Sequence, residues 1–142
     1  MFPRCSLFPD VPTLDFKRTY IVETGRLAVS RRTDATERRM GNDIILQIFK
    51  GGYQASKRHG FTHWVAATEK SLQRLMARYG FPWRVIGPQA DYYGLVAPYL
   101  LSLDEFDGVI VGGRRPELSN FLDGLEQQFR PVDVWKSIGA VR

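Results

Sequence analysis

An α/β domain, a sheet with helices packed on its faces, is the fold this sequence predicts, and three observations carry it. Apolar residues recur at helical spacing in three segments, beginning near Ile44, Leu72 and Leu118. Short apolar runs of strand length lie around and between them. The resulting order is strand, helix, strand, helix, strand, strand, helix, and its first two strands are joined by a helical crossover, which predicts that they run parallel.

Each element has its own signal. Residues 1–18 contain Pro3, Pro9 and Pro12 without periodicity and predict an irregular lead-in. Tyr20-Ile21-Val22 and Leu27-Ala28-Val29 flank Glu23-Thr24-Gly25-Arg26, a strand interrupted by polar residues, with a glycine that suggests a bulge. A helix is expected from Asn42 or Asp43, with Ile44, Ile45, Ile48, Phe49 and Ala55 on one face and Gly60 as its stop. Gly51-Gly52 falls inside it at a cost of about 1 kcal/mol per glycine, which predicts a close packing neighbour.

The nearly continuous apolar run from Phe61 to Ala67 predicts a strand buried on both faces. Thr68 is expected to cap the next helix, where Leu72, Leu75, Met76 and Tyr79 share a face, Glu69 occupies the first turn and Gly80 ends the element. Trp83 to Ile86 predicts a strand, Gly87-Pro88 a turn and Tyr92 to Leu103 a longer strand. Pro116 suits the first position of a final helix striped by Leu118, Phe121, Leu122, Leu125 and Phe129.

At 142 residues the chain fits one domain, 1–142, large enough for a single core. An apolar share of 44% with 25% charged residues is ordinary globular composition and argues against disorder. Cys5 alone cannot build a disulfide framework and fits a reducing compartment. No apolar run is long enough to span a bilayer, and the opening Met1-Phe2-Pro3-Arg4-Cys5 lacks a signal peptide's apolar stretch, so the expected location is the cytoplasm. Two histidines, His59 and His63, with one cysteine and no acidic cluster give no ligand spacing, so no metal is implied.

A net charge of +5 and a pI near 9.6 raise the question of nucleic acid. The cations concentrate at Arg31, Arg32, Arg38 and Arg39, with Lys57 and Arg58 later, while Trp64, Trp83 and Trp135 are not interleaved with them as base-stacking platforms would be. No recognition-helix pattern stands out, and nucleic acid is not the expected partner. The order strand, basic turn, glycine, helix instead suggests a phosphate site. There Arg38 and Arg39 supply counter-charge, and the free N–H groups of Gly41, Asn42 and Asp43 open the helix. Neither a P-loop nor a dinucleotide fingerprint occurs.

Arg38, Gly41 and Asp43 resemble the pyrophosphate-binding turn [QR]-x-x-G-x-[GA] of the GNAT acyltransferase superfamily, with Asp43 departing from its last position. Glu23-Thr24-Gly25-Arg26-Leu27-Ala28-Val29 is similar to the E-x-S-R-[hydrophobic]-x-V strand of acyl-homoserine-lactone (autoinducer) synthases, with Gly25 in place of serine. Ile86-Gly87-Pro88, Tyr92, Gly94 and Pro98 resemble the I-G-P-x-x-x-Y-x-G-x-x-x-P block of N-acyl amino acid synthases and exosortase-associated acyltransferases.

The resemblance implies a GNAT-like mixed sheet flanked by helices. It is N-terminally shortened, because the Glu-to-Arg strand lies near mid-chain in those families and close to the start here. It implies transfer of a fatty acyl group from acyl carrier protein or acyl-CoA to the amine of an amino acid or related molecule. The other reading is a non-catalytic acyl-carrier or ligand-binding module. Arg38, Arg39, Gly41, Asn42 and Asp43 would hold the phosphate of the phosphopantetheine arm, and the strand around Leu27 and Val29 would polarise the thioester carbonyl. Glu23 is the candidate base for the amine. Arg26 would orient the acceptor's carboxylate or hold Glu23, and Tyr92 or Tyr93 would protonate the leaving thiolate or line the acceptor pocket. The open sheet edge implies a homodimer.

Overall fold

The computed structural model describes residues 20–25, 35–92 and 94–131, with the backbone alone at 35–42. In chain order the elements are β1 (Ile21–Glu23), α1 (Ala35–His59), β2 (His63–Thr68), α2 (Lys70–Arg78), β3 (Trp83–Val85), β4 (Ala90–Asp91), β5 (Leu95–Ser102) and α3 (Leu103–Gly112). Short 3-10 turns follow at Pro116–Leu118 and Gln127–Phe129. The fold is α/β. Its five-stranded sheet runs β1-β2-β5-β3, with β4 paired to β5. β1 and β2 are parallel, as their helical connection predicts, and the remaining pairs are antiparallel.

Cross-strand register explains where the core lies. Trp64 and Trp83 both pair with Leu101, so the three side chains form one row on one face of the sheet. That row packs against Leu46 and Tyr53 of α1, Met76 of α2, Phe106 and Ile110 of α3, and Leu118, Phe121 and Leu125 beyond it. Phe81 stacks on Phe106 at 4.7 Å between ring centroids, and Phe106 meets Phe121 edge-on at 5.8 Å. The neighbouring row, Val65, Leu100 and Arg84, is half-buried to exposed. β2 accordingly alternates between buried and half-buried positions and is not buried on both faces as its apolar run suggests. Trp64 and Ala66 take the covered face and Val65 and Ala67 the other.

Two boundaries and one buried helix face differ from the sequence expectation. α1 begins at Ala35, well before Asn42, because nothing between Ala35 and Asp43 breaks a helix strongly enough to delay it. Within α1, Ile45 and Leu46 are buried, whereas Ile44 and Ile48 stay 50% and 47% exposed, so the buried stripe is rotated from the expected one. At β2, the ladder to β5 extends through Thr68, so Glu69 rather than Thr68 takes the N-cap position of α2.

The largest difference is at the C-terminal side. The last α-helix is α3, directly after β5, where Ser102 caps the helix by accepting from the Glu105 N–H and Gly113 closes it in the left-handed region at φ 69°. The stripe from Leu118 to Phe129 winds through short turns instead, with Gly124 at φ 86° interrupting it. Its apolar residues are still used, since Leu118, Phe121 and Leu125 are buried.

A buried polar network ties these layers together. Tyr53 Oη donates to Asp107 Oδ1 at 2.6 Å, and Lys57 Nζ donates to Asp107 Oδ2 at 2.7 Å, linking α1 to α3. Gln54 Nε2 donates to the carbonyls of Phe121 and Asp123, pinning the turns after α3 onto α1. Burial first, and then the bonded carboxylate of Asp107, hold the Tyr53 hydroxyl far above its ordinary titration range.

Candidate functional site

β1 lies parallel to the first half of β2. Their register runs from Ile21 opposite His63 to Glu23 opposite Val65, and the Thr24 N–H donates to the Val65 carbonyl at 2.8 Å. β2 then continues to Thr68 while the paired stretch of β1 has ended. Beside these strands lies a cleft of roughly 720 Å³. In α/β sheets the carboxyl ends of parallel strands are where ligands sit, and this cleft has that placement.

Its walls come from six elements, β1, α1, β2, α2, β3 and β5. Val22, Thr24 and Gly25 border it on the β1 side, and Trp64, Ala66 and Thr68 on the β2 side. Ile48, Phe49, Gly52 and Ser56 of α1 cover one flank, and Leu72, Gln73 and Met76 of α2 the other. A Cβ at Gly52 would lie 3.9 Å from the Trp64 indole, an ordinary contact, and Gly51 has open space around it, so neither glycine meets the close packing neighbour expected of the pair. Trp64 Nε1 donates to Ser56 Oγ at 2.8 Å, and the Ser56 hydroxyl donates to the Gly52 carbonyl at 2.7 Å. Trp83 also lines the cleft, but its Nε1 is buried without an acceptor among the described residues. Leaving such a donor unpaired costs about 1–3 kcal/mol.

The residues singled out in the sequence are distributed unevenly around this cleft. Val22 faces it, and the two-residue alternation of a strand sends Glu23 to the opposite face, where it is exposed. Tyr92 is 59% exposed and lies outside the cleft lining, with its backbone N–H donating to the Gly94 carbonyl at 2.8 Å. Arg26, Leu27, Val29 and Tyr93 lie outside the described residues. Arg38, Arg39, Gly41, Asn42 and Asp43 all belong to α1.

Their position within α1 changes the phosphate geometry expected of them. Only the first four N–H groups of a helix lack an internal partner. Because α1 starts at Ala35, the open amides within it are those of Ala35, Thr36 and Glu37, and the amides of Gly41, Asn42 and Asp43 fall inside the ladder. Arg38 alone of the five belongs to the opening turn.

Glu69 is the residue that sequence reasoning passed over. It follows the last residue of β2 and lines the cleft, the only charged side chain among the described residues that does. Although it occupies the N-cap position of α2, it makes no capping hydrogen bond. Its Oε2 accepts a long bond from the Ser71 hydroxyl, at 3.5 Å, and it forms no ion pair among the described residues. The turn that joins β4 to β5 closes over it, so that a side chain at Gly94 would come within 3.5 Å of Glu69 Oε1. The available signal was positional, an acid directly at the carboxyl end of a parallel strand.

Arg31 and Arg32 lie outside the described residues, and several of the described cations are paired. Lys57 pairs with Asp107, and Arg58 donates to both carboxylate oxygens of Glu126, at 3.2 and 2.9 Å. Arg84 pairs with Glu105. No group of three or more potential metal ligands occurs among the described residues, and no helix among them is long and apolar enough to cross a membrane. Comparison of the chain with protein-family models, with curated proteins and with solved structures gives no significant match to any of them.

Proposed function

We propose that the chain is a GNAT-type N-acyltransferase that moves a fatty acyl group from a phosphopantetheine thioester, on acyl carrier protein or coenzyme A, to the amine of an amino-acid-like acceptor. The observation that carries this reading is the cleft at the carboxyl ends of β1 and β2, a parallel pair joined by a helical crossover. Val65 directs its carbonyl toward β1, where it accepts from the Thr24 N–H. Phe49, Leu72, Met76 and Val96 offer an apolar wall suited to an acyl chain.

In the transfer the amine nitrogen bonds to the thioester carbonyl carbon, the carbon–sulfur bond breaks, and the proton lost by the amine balances the one gained by the departing thiolate. A donor phosphate at this end of the molecule is best matched to the open amides of Ala35, Thr36 and Glu37 in α1, in place of the amides at Gly41–Asp43.

A second reading, a non-catalytic module that binds an acyl carrier or ligand, is favoured by one observation: Glu23 projects away from the cleft. The two separate in one assay. Incubation with long-chain acyl carrier protein, or the matching acyl-CoA, and a panel of amino acids is expected to yield amides detectable by mass spectrometry. Donor binding without any amide product leaves the binding-module reading standing and removes the enzyme.

A further inference from the structure

The cleft is apolar and neutral along most of its wall, yet one carboxylate stands at its edge. Three observations on Glu69 converge. First, it lies at the carboxyl end of β2, where α/β sheets place ligand contacts. Second, its side chain makes no hydrogen bond to the first turn of α2. Its side chain lies against Gly94, in the turn between β4 and β5. Third, Lys70 follows it in sequence and Arg74 lies one turn on, yet no cation pairs with it among the described residues.

An acid that neither caps its helix nor pairs with a protein cation is placed to receive a cation from outside. The carboxylate is exposed, and the apolar residues Leu72, Met76 and Val96 line the same cleft. We propose that Glu69 is a ligand-positioning residue that accepts a hydrogen-bonded ion pair from the ammonium group of a cationic amine whose apolar portion lies in the cleft. The inference rests on the acyltransferase reading in one respect, the identification of that amine with the acyl acceptor. The contact itself requires only the cleft and the carboxylate.

The test measures binding of two probes of equal chain length, decylammonium and decanol, to the full chain by titration calorimetry at neutral pH. The unaltered protein is expected to prefer decylammonium by roughly five- to tenfold, the scale of a charge-assisted bond at a partly exposed site. Glu69→Gln is expected to abolish the preference while leaving decanol affinity unchanged, and Glu69→Asp to keep part of it. Equal affinity for the two probes, a preference that survives in Glu69→Gln, or loss of both probes in that variant would each overturn the assignment. Failure of either probe to bind the unaltered protein also overturns it.

The acyltransferase reading is scored separately, by binding of dodecanoyl-pantetheine. If that thioester binds and decylammonium shows no preference, the Glu69 assignment falls alone. If neither the thioester nor the amine binds, the donor reading falls with it.

Discussion

Asp107 illustrates how much a single buried side chain organises. Its two oxygens are divided between the Tyr53 hydroxyl and the Lys57 ammonium, so one carboxylate closes α3 onto α1. Tyr53→Phe removes one donor but leaves Asp107 paired to Lys57, and is expected to cost about 1 kcal/mol in a denaturant titration. Asp107→Ala strands both a fully buried hydroxyl and a largely buried ammonium, and is expected to cost about 3 kcal/mol. Equal losses from the two variants would show that Lys57 contributes nothing to the network.

His63 gives the residue scale a pH dependence. Burial lowers its pKa below the ordinary histidine value, against a smaller opposing pull from Asp104. The unfolded chain therefore binds the proton more readily than the folded one. The stabilisation from neutral His63 is complete above about pH 6.5 and is lost as pH falls through the lower folded value. Melting temperature should decline from about pH 7 to pH 5, and His63→Gln should flatten that decline. An identical slope in the variant would assign the dependence to other groups.

At the scale of elements, α3 is the clearest case of local chemistry deciding structure. Ser102-Leu103-Asp104-Glu105 is a capping-box sequence at the end of β5, and Gly113 supplies the left-handed residue that stops the helix. Ser102→Ala is expected to destabilise the chain by about 1 kcal/mol, with the greatest loss of amide-exchange protection in the first turn of α3. Uniform loss over the whole sheet would contradict a local cap.

The same segment shows what the sequence makes legible. Strand positions, the parallel crossover and the helix from Leu72 to Tyr79 follow from periodicity, glycine stops and connection length. The apolar run into Leu103 hides the strand-to-helix change, because a buried strand and the first turn of a buried helix look alike by hydrophobicity. The Leu118 stripe has helical spacing and a proline start, but its turns are held instead by Gln54 and the aromatic cluster, contacts distant in sequence. The start of α1 was misplaced for another reason: Gly41 was weighted as a helix opener, whereas it lies inside the element.

For the whole molecule, the arrangement of strands determines which charges can meet a ligand. Glu23 and Glu69 are both acids near the carboxyl ends of parallel strands. The alternation of β1 turns the first away from the cleft, and the residue immediately after β2 brings the second to its edge. The sequence places a strand at Glu23, while the side of the sheet each acid occupies depends on register against β2, which a motif does not encode. Among the described residues β1 forms one edge of the sheet, and β3 forms the other.

The wall of the cleft carries an optical consequence. The Trp64 and Trp83 rings both line it with centroids 6.2 Å apart, close enough for their electronic transitions to couple. Trp64 has its nitrogen anchored on Ser56, while Trp83 has an unmatched N–H, so the two indoles experience different local polarity. A ligand entering beside them changes that polarity and the angle-dependent coupling together. Native tryptophan emission and near-ultraviolet circular dichroism should therefore report occupancy directly, without an attached dye.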